Sequence, residues 1–120
     1  MTPFAAIMKR VVEESPGAVG GAFAASDGEM VDSYSTIDQQ ELSLITAHYG
    51  VVLSLLISAF GIFHFGAPQF FFAKHNKLAV LVHAVDAGYF ALVAYATDPD
   101  LDTSLFHLQP ACALLKKEMG

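Results

Sequence analysis

The sequence predicts one α+β domain over residues 1–120, with the element order helix, strand, strand, helix, strand, strand, strand, helix. Three observations support this prediction. The chain is 54% hydrophobic, which supplies enough apolar surface for one core in 120 residues but rarely for two. Apolar residues recur at helical spacing near both ends and in the middle. Short apolar runs bounded by turn residues lie between those segments, as strands do.

The first helix is predicted over residues 3–15. Pro3 suits the first helical position, because its missing N–H would have no partner there anyway. The apolar residues that follow have helical spacing: Phe4, Ile7, Met8, Val11 and Val12. Pro16 and Gly17 should end the helix, because the residue before a proline disfavours the helical conformation.

Two strands, over residues 18–26 and 29–35, should follow the first helix. The Asp27-Gly28 pair between them is a strong signal for a hairpin turn. The first strand is small and apolar, whereas the second mixes apolar with charged residues, as an exposed edge strand does. We therefore expect a β-hairpin with its second strand at an edge of the sheet.

The second helix should be long and apolar on opposite sides. Asp38, with Glu41 three residues later, matches a helix-capping pattern, and no Asp, Glu, Lys or Arg occurs over residues 42–73. A stripe of small residues runs between the two apolar sides: Ala47, Gly50, Ser54, Ser58 and Gly61. Such a helix either spans a membrane or lies between its own sheet and a second protein surface. The polar residues and glycines within it weigh against a membrane span.

Three further strands are predicted over residues 69–75, 78–85 and 89–97. The last two contain continuous apolar runs, which suit central strands covered on both faces. The last helix contains Pro110, which is expected to kink or split it near His107, because proline removes one backbone hydrogen bond.

Composition and motifs argue against several functions. A net charge of -6 does not suit a nucleic-acid binder, which needs a basic surface. The single cysteine, Cys112, cannot form an internal disulfide, so we expect an intracellular, cytoplasmic protein. The histidines lack the spacing of a zinc site, and neither a phosphate-binding loop nor a nucleophile motif occurs. We therefore expect no enzymatic activity, no cofactor and no metal.

The element order and several short motifs resemble the roadblock/dynein light chain superfamily, with the bacterial MglB- and MglC-like members the most similar. The motifs are a first helix that ends before Pro16-Gly17-Ala18, a hairpin turn at Asp27-Gly28, and Asp98-Pro99 leading into the last helix. This resemblance implies a roadblock/profilin-like fold. In that fold a five-stranded antiparallel sheet carries the long second helix on one face and the first and last helices on the other.

The resemblance also implies a function in small-GTPase regulation. Family members bind small Ras-like GTPases or other roadblock proteins, and some activate GTP hydrolysis while others are scaffolds. Since Arg10 is the only arginine that could serve as an arginine finger, we expect a homodimeric adaptor, for example in bacterial cell polarity or motility. The alternatives are a GTPase-activating protein and a small membrane-spanning subunit.

Two sets of residues are expected at interfaces. The family's dimer pairs third strands and packs second helices, which implies the interface residues Phe70, Phe71, Phe72, Ala47, Gly50, Ser54 and Gly61. A partner surface is expected on the outward side of the first and last helices, at Lys9, Arg10, Lys116 and Lys117. The alternatives are ordinary core positions for the first set and a solvated helix face for the second.

Overall fold

The structure is a computed structural model that describes residues 1–61 and 65–120. Its elements, in chain order, are α1 Pro3–Glu14, β1 Ala18–Ala25, β2 Met30–Ser35, α2 Gln39–Phe60, β3 Phe70–Lys74, β4 Ala79–Asp86, β5 Tyr89–Tyr95 and α3 Leu101–Met119. The predicted element order is confirmed. The expected end of the second helix, at Ile62, Phe63 and His64, lies outside the described residues.

The five strands form one antiparallel sheet in the order β2-β1-β5-β4-β3. The strand β5 therefore lies at the centre, and β2 and β3 lie at the edges. Every residue of β5 from Phe90 to Tyr95 is buried, and so are the first five residues of β4. The prediction that these two strands are covered on both faces is confirmed.

Each face of the sheet has its own apolar core. On one face, α1 and α3 pack on the sheet through Met8, Val11, Leu108, Ala111 and Leu115. On the other face, α2 alone packs on the sheet, through Leu42 and Leu53. This arrangement confirms the predicted fold class, with one long helix on one face and two helices on the other.

The first two helices begin where the sequence predicts, and a side chain caps each of them. The Thr2 hydroxyl accepts a hydrogen bond from the backbone N–H of Ala5 at 3.1 Å at the start of α1. The Asp38 carboxylate accepts one from the N–H of Gln40 at 3.2 Å at the start of α2. Each bond satisfies an N–H that has no partner inside the helix.

Of the two outcomes expected at Pro110, a kink or a split of the last helix, the split is wrong. The helix α3 runs without a break from Leu101 to Met119. Pro110 and the exposed Phe106 lie on its solvent side. The carbonyl of Phe106, which receives no helical hydrogen bond from residue 110, can therefore be hydrated, and the helix tolerates the proline.

The turn of the β1–β2 hairpin contacts α2. Its loop spans residues 26–29, longer than the expected two-residue turn, and Gly28 adopts a φ of 91°. A Cβ added at Gly28 would lie 3.2 Å from the Cα of Ala47 on α2. This position therefore needs glycine both for its backbone conformation and for the close approach of the helix.

We predict that Gly28→Ala destabilises the domain more than Gly88→Ala does. Gly88 in the β4–β5 turn has a φ of 92°, but nothing lies within 4 Å of an added Cβ there. Gly88→Ala should cost about 1 kcal/mol of backbone strain, while Gly28→Ala should cost about 1–3 kcal/mol more because it crowds α2. Urea unfolding of both variants measures the difference. Equal losses would show that the contact between the turn and α2 contributes nothing.

Candidate protein interface

The side of α2 that faces away from the sheet exposes large apolar side chains. This outer face of α2 consists of Leu44, His48, Val51, Val52 and Leu55. Leu44, Val51 and Leu55 expose 61%, 55% and 64% of their surface. Isolated exposed apolar residues are ordinary in monomers, but a continuous row along three turns of a helix is typical of an interaction surface.

The opposite side of α2 holds the helix on the sheet. Its buried residues follow helical spacing: Leu42, Thr46, Gly50 and Leu53. The Thr46 hydroxyl donates a hydrogen bond to the carbonyl of Leu42 at 2.7 Å, so its burial is compensated. Because the buried and the outer residues lie on opposite sides, α2 can pack on its own sheet and on a second surface at once.

The small residues of α2 bring the helix close to its own domain. A Cβ added at Gly50 would lie 3.3 Å from the Cα of Gly28 and 3.3 Å from the ring of Phe90. Ala47 of the same helix also contacts the hairpin turn, because its Cα would lie 3.2 Å from a Cβ added at Gly28. The absence of bulk at these positions lets the hairpin turn and the sheet contact the helix.

Ser54 belongs to the same contact, since its hydroxyl donates to the carbonyl of Ser26 at 3.2 Å. Gly61 is the exposed C-terminal cap of α2. The small-residue side of α2 therefore faces the chain itself, and the expectation that a partner packs on that side is corrected. Ala47, Gly50 and Ser54 contact the chain itself, and the open apolar surface is the outer face of α2. The dimer stays a prediction.

The edge strand β3 carries three consecutive phenylalanines whose side chains alternate between the faces of the sheet. Phe71 packs on the α2 side, where its ring centroid lies 5.9 Å from that of Tyr49. Phe70 and Phe72 lie on the other face, and the ring of Phe70 stacks on His83 at 5.7 Å. Since successive strand residues point to opposite faces, the three rings do not form one surface. Within the described sheet, the outer edge of β3 has no neighbouring strand.

Polar contacts tie β3 to the neighbouring helices. The Tyr49 hydroxyl on α2 is hydrogen-bonded to Nε2 of His75, in the turn after β3. Burial raises the pKa of Tyr49, so its hydroxyl stays protonated at neutral pH. The Lys74 ammonium lies 2.7 Å from the carboxylate of Asp98, just before α3. This ion pair is exposed and contributes little to stability.

The four basic residues expected at a partner surface do not form one patch. Lys9 lies over the ring of Tyr34 on β2, with 5.8 Å from its Nζ to the ring centroid. Arg10 is 3.1 Å from Glu14 on the same helix. Lys116 and Lys117 lie exposed near the end of α3. Their role as a partner surface stays a prediction, for separate positions rather than for one cluster.

A groove between α1 and α3 was not expected from the sequence. It has a volume of about 460 Å³, and its lining includes Arg10, Glu14, Phe106, His107 and Leu114. The Nδ1 of His107 lies 3.7 Å from the Glu14 carboxylate, so the groove has one polar end. Phe106 does not follow the spacing of the core residues of α3, and this deviation is the signal that could have revealed it as an exposed aromatic residue.

Two observations on the described residues concern reactive groups. Burial raises the pKa of the Cys112 thiol to about 12, so it is protonated and unreactive at neutral pH. No group of three or more His, Cys, Asp or Glu side chains that could hold a metal ion occurs in the part of the chain that the structure describes. One helix, Gln39–Phe60, is long and apolar enough to cross a membrane.

Comparison with known proteins identifies the fold. No protein-family model and no curated protein matches the sequence. Among solved structures, a Roadblock/LC7 domain from Streptomyces avermitilis is 15% identical with a TM-score of 0.84, covering 94% of both chains. Myxococcus xanthus MglB is 12% identical with a TM-score of 0.86, covering 99% of this chain and 96% of that one. Myxococcus xanthus MglC is 17% identical with a TM-score of 0.72, covering 98% and 99%.

We predict that Phe71→Lys destabilises the monomer and that Phe72→Lys does not. The Phe71 ring packs under α2 beside Tyr49, so its loss should lower the free energy of unfolding by about 1–3 kcal/mol. Phe72 is partly exposed on the other face, and the same substitution there should cost about 0.5 kcal/mol or less. Urea unfolding of both variants measures the two costs. A larger loss for Phe72→Lys would contradict the alternation of these rings.

Proposed function

We propose that this chain, which has the roadblock/LC7 fold, is a non-enzymatic homodimeric adaptor that regulates a small Ras-like GTPase system in the cytoplasm through protein contacts. The observation that carries the proposal is the outer face of α2, an apolar surface that the domain does not cover. The sequence resemblance to MglB- and MglC-like proteins supplies the GTPase system. The solved structures with this fold include one described as the gliding protein MglB from Thermus thermophilus.

The outer face of α2 favours a second copy as the surface that covers it. No Asp, Glu, Lys or Arg occurs in α2 after Glu41, so two copies can pack this face together without bringing like charges into contact. A self-complementary patch of this kind suits the two-fold symmetry of most homodimers. Burial of Leu44, Val51 and Leu55 in the dimer would stabilise it by about 25 cal/mol for each Å² of apolar surface removed from water.

The edge of β3 supports the same dimer. Its backbone lacks a strand neighbour in the described sheet, so it can pair with the β3 of a second copy and extend the sheet across the dimer. Of the three phenylalanines, Phe70 and Phe72 are the exposed ones and would lie beside this junction. Phe71 supports it indirectly, by holding β3 against α2.

An adaptor role is favoured over a GTPase-activating role. An activating protein of the arginine-finger type needs a guanidinium that is free to reach the transferred phosphate. Arg10 is the only arginine in the chain, and its Nε is bonded to Glu14 at 3.1 Å. The proposal is therefore that this chain acts by holding proteins together, for example another roadblock protein and a GTPase of a polarity or motility system.

A membrane-spanning role fits the packing of α2 less well. The helix is long and apolar enough to span a bilayer, and its outer face could contact lipid. Its other side, however, closes the core through Leu42 and Leu53, which are almost fully buried. Extracting α2 into a bilayer would open that core to water. Fractionation of cells separates the two roles, because a membrane-spanning subunit needs detergent to leave the pellet.

We predict that Leu55→Glu converts the dimer to a monomer without unfolding it. Leu55 is exposed on the outer face of α2, so a charge there should disrupt the dimer by desolvation while the circular dichroism spectrum is unchanged. Light scattering measures the mass. The matched control is Val31→Glu, an exposed apolar residue on the opposite edge strand, which should stay dimeric. A Leu55→Glu variant that is still a dimer in dilute solution would rule out α2 as the interface.

We predict that the chain binds a small Ras-like GTPase of its own host and leaves its hydrolysis rate unchanged within about twofold. Capture on the immobilised chain and a phosphate-release assay measure the two properties. An acceleration on the order of 10³-fold or more, abolished by Arg10→Ala but not by Lys9→Ala, would instead establish the activating role. Absence of capture for every such GTPase of the host would contradict the proposed function.

A further inference from the structure

A second exposed stripe runs along α3, on the opposite face of the sheet from α2. This outer stripe of α3 consists of Asp102, Phe106, Gln109, Pro110, Ala113 and Lys117, all of them exposed. Phe106 exposes 74% of its surface, and its ring makes an edge contact with the neighbouring His107. Phe106 is the largest apolar side chain of the stripe, and the stripe follows helical spacing, so it presents one continuous line of side chains.

We propose that this stripe binds a second copy of the chain, with the two α3 helices antiparallel about a two-fold axis between Gln109 and Pro110. The contact lies on the face opposite the outer face of α2 and does not depend on the α2 dimer. Where both contacts form, they join dimers into larger assemblies, either closed or open.

The order of residues along the stripe is self-complementary. Phe106 and Ala113 lie equally far on either side of the proposed axis. An antiparallel pairing therefore places the large ring of Phe106 on the small Ala113 of the other copy, twice. A bulky side chain opposite a small one fills space without strain, as packed helices require. A parallel pairing would instead place ring against ring.

The charges at the two ends of the stripe fit the same pairing. Asp102 and Lys117 are also equally far from the axis, so each Lys117 lies level with Asp102 of the other copy. Within the described residues neither side chain has a charged partner. Two ion pairs would form, and the two helix dipoles would attract each other because they are antiparallel. A parallel pairing would bring Lys117 against Lys117.

The balance of charge also favours self-contact on this face. The helix α1 carries Lys9 and Arg10 against Glu13 and Glu14, and α3 carries Lys116 and Lys117 against Asp102 and Glu118. These two helices therefore have no net charge, while the whole chain has a net charge of -6. Two copies that meet through α3 therefore bring together helices that do not carry the excess negative charge of the whole chain.

A single helix pair buries less than the roughly 1,200 Å² of a stable interface, so this association should be weak and dependent on concentration. We test it by sedimentation equilibrium in the Leu55→Glu background, which removes the proposed α2 dimer. The Leu55→Glu chain, a monomer in dilute solution, should form dimers through α3 as concentration rises. Phe106→Glu in that background should raise the dissociation constant at least tenfold, while the circular dichroism spectrum stays unchanged.

A charge exchange tests the register of the contact. Lys117→Asp alone and Asp102→Lys alone should each weaken association, and the two together should restore it at least tenfold relative to either single variant. The two residues lie at opposite ends of one helix, so restoration can arise only between copies. Lys116→Asp makes the same charge change about 100° around the helix and should have less effect than Lys117→Asp.

The results that overturn the proposal are specific. A Leu55→Glu chain that is monomeric at every concentration would assign the stripe to a different protein. Association that survives Phe106→Glu, or that the charge exchange does not restore, would place self-contact elsewhere. If Leu55→Glu does not remove the α2 dimer, the proposed function fails separately. The effect of Phe106→Glu on assemblies larger than that dimer then still decides the α3 contact.

Discussion

The central strand β5 places the strongest constraint on this molecule. Its residues from Phe90 to Tyr95 are all buried, so both faces of the sheet must be covered. Five strands spaced about 4.8 Å apart span about 19 Å between the outer strands. On one face the pair α1 and α3, each about 10 Å wide, covers most of that width. On the other face a single helix of the same width lies mainly over β1 and β2, and Phe71 of β3 packs beside it.

The two sides of α2 have different surroundings. Its inner residues, such as Leu42 and Leu53, close the core, while its outer residues face away from the sheet. The edge strand β3 is short and is held by contacts such as that between Phe71 and Tyr49. The proposed dimer would cover the outer face of α2, and such a continuous apolar face is a stronger reason for a partner than apolar composition alone.

The element order was predictable because it depends on local signals, whereas the arrangement of the helices on the two faces of the sheet was implied by the family resemblance. Hydrophobic periodicity, the turn at Asp27-Gly28 and the caps at Thr2 and Asp38 all act within a few residues. The unbroken course of α3 was not predicted, because the cost of Pro110 depends on whether water can reach the carbonyl of Phe106. That access is a property of the packed domain and not of the local sequence.

The direction in which α2 faces was also not predictable from its own residues. A helical repeat shows that two sides differ, but it does not show which side meets the sheet. Gly50 is buried because Phe90 and Gly28 approach it, and both are distant in sequence. The strand period of two, by contrast, is a local property, and it is sufficient to place Phe71 on the opposite face from Phe70 and Phe72.

The two proposed contacts depend on different forces, and this difference determines which contact forms first. The outer face of α2 has no Asp, Glu, Lys or Arg side chain, so its contacts depend mainly on apolar burial and change little with ionic strength. The outer stripe of α3 combines one aromatic ring with charged ends, so salt screens part of its attraction. The α2 contact would therefore form first and persist, while the α3 contact would respond to concentration and salt. A domain built this way can keep a constant dimer and still vary the size of its assemblies.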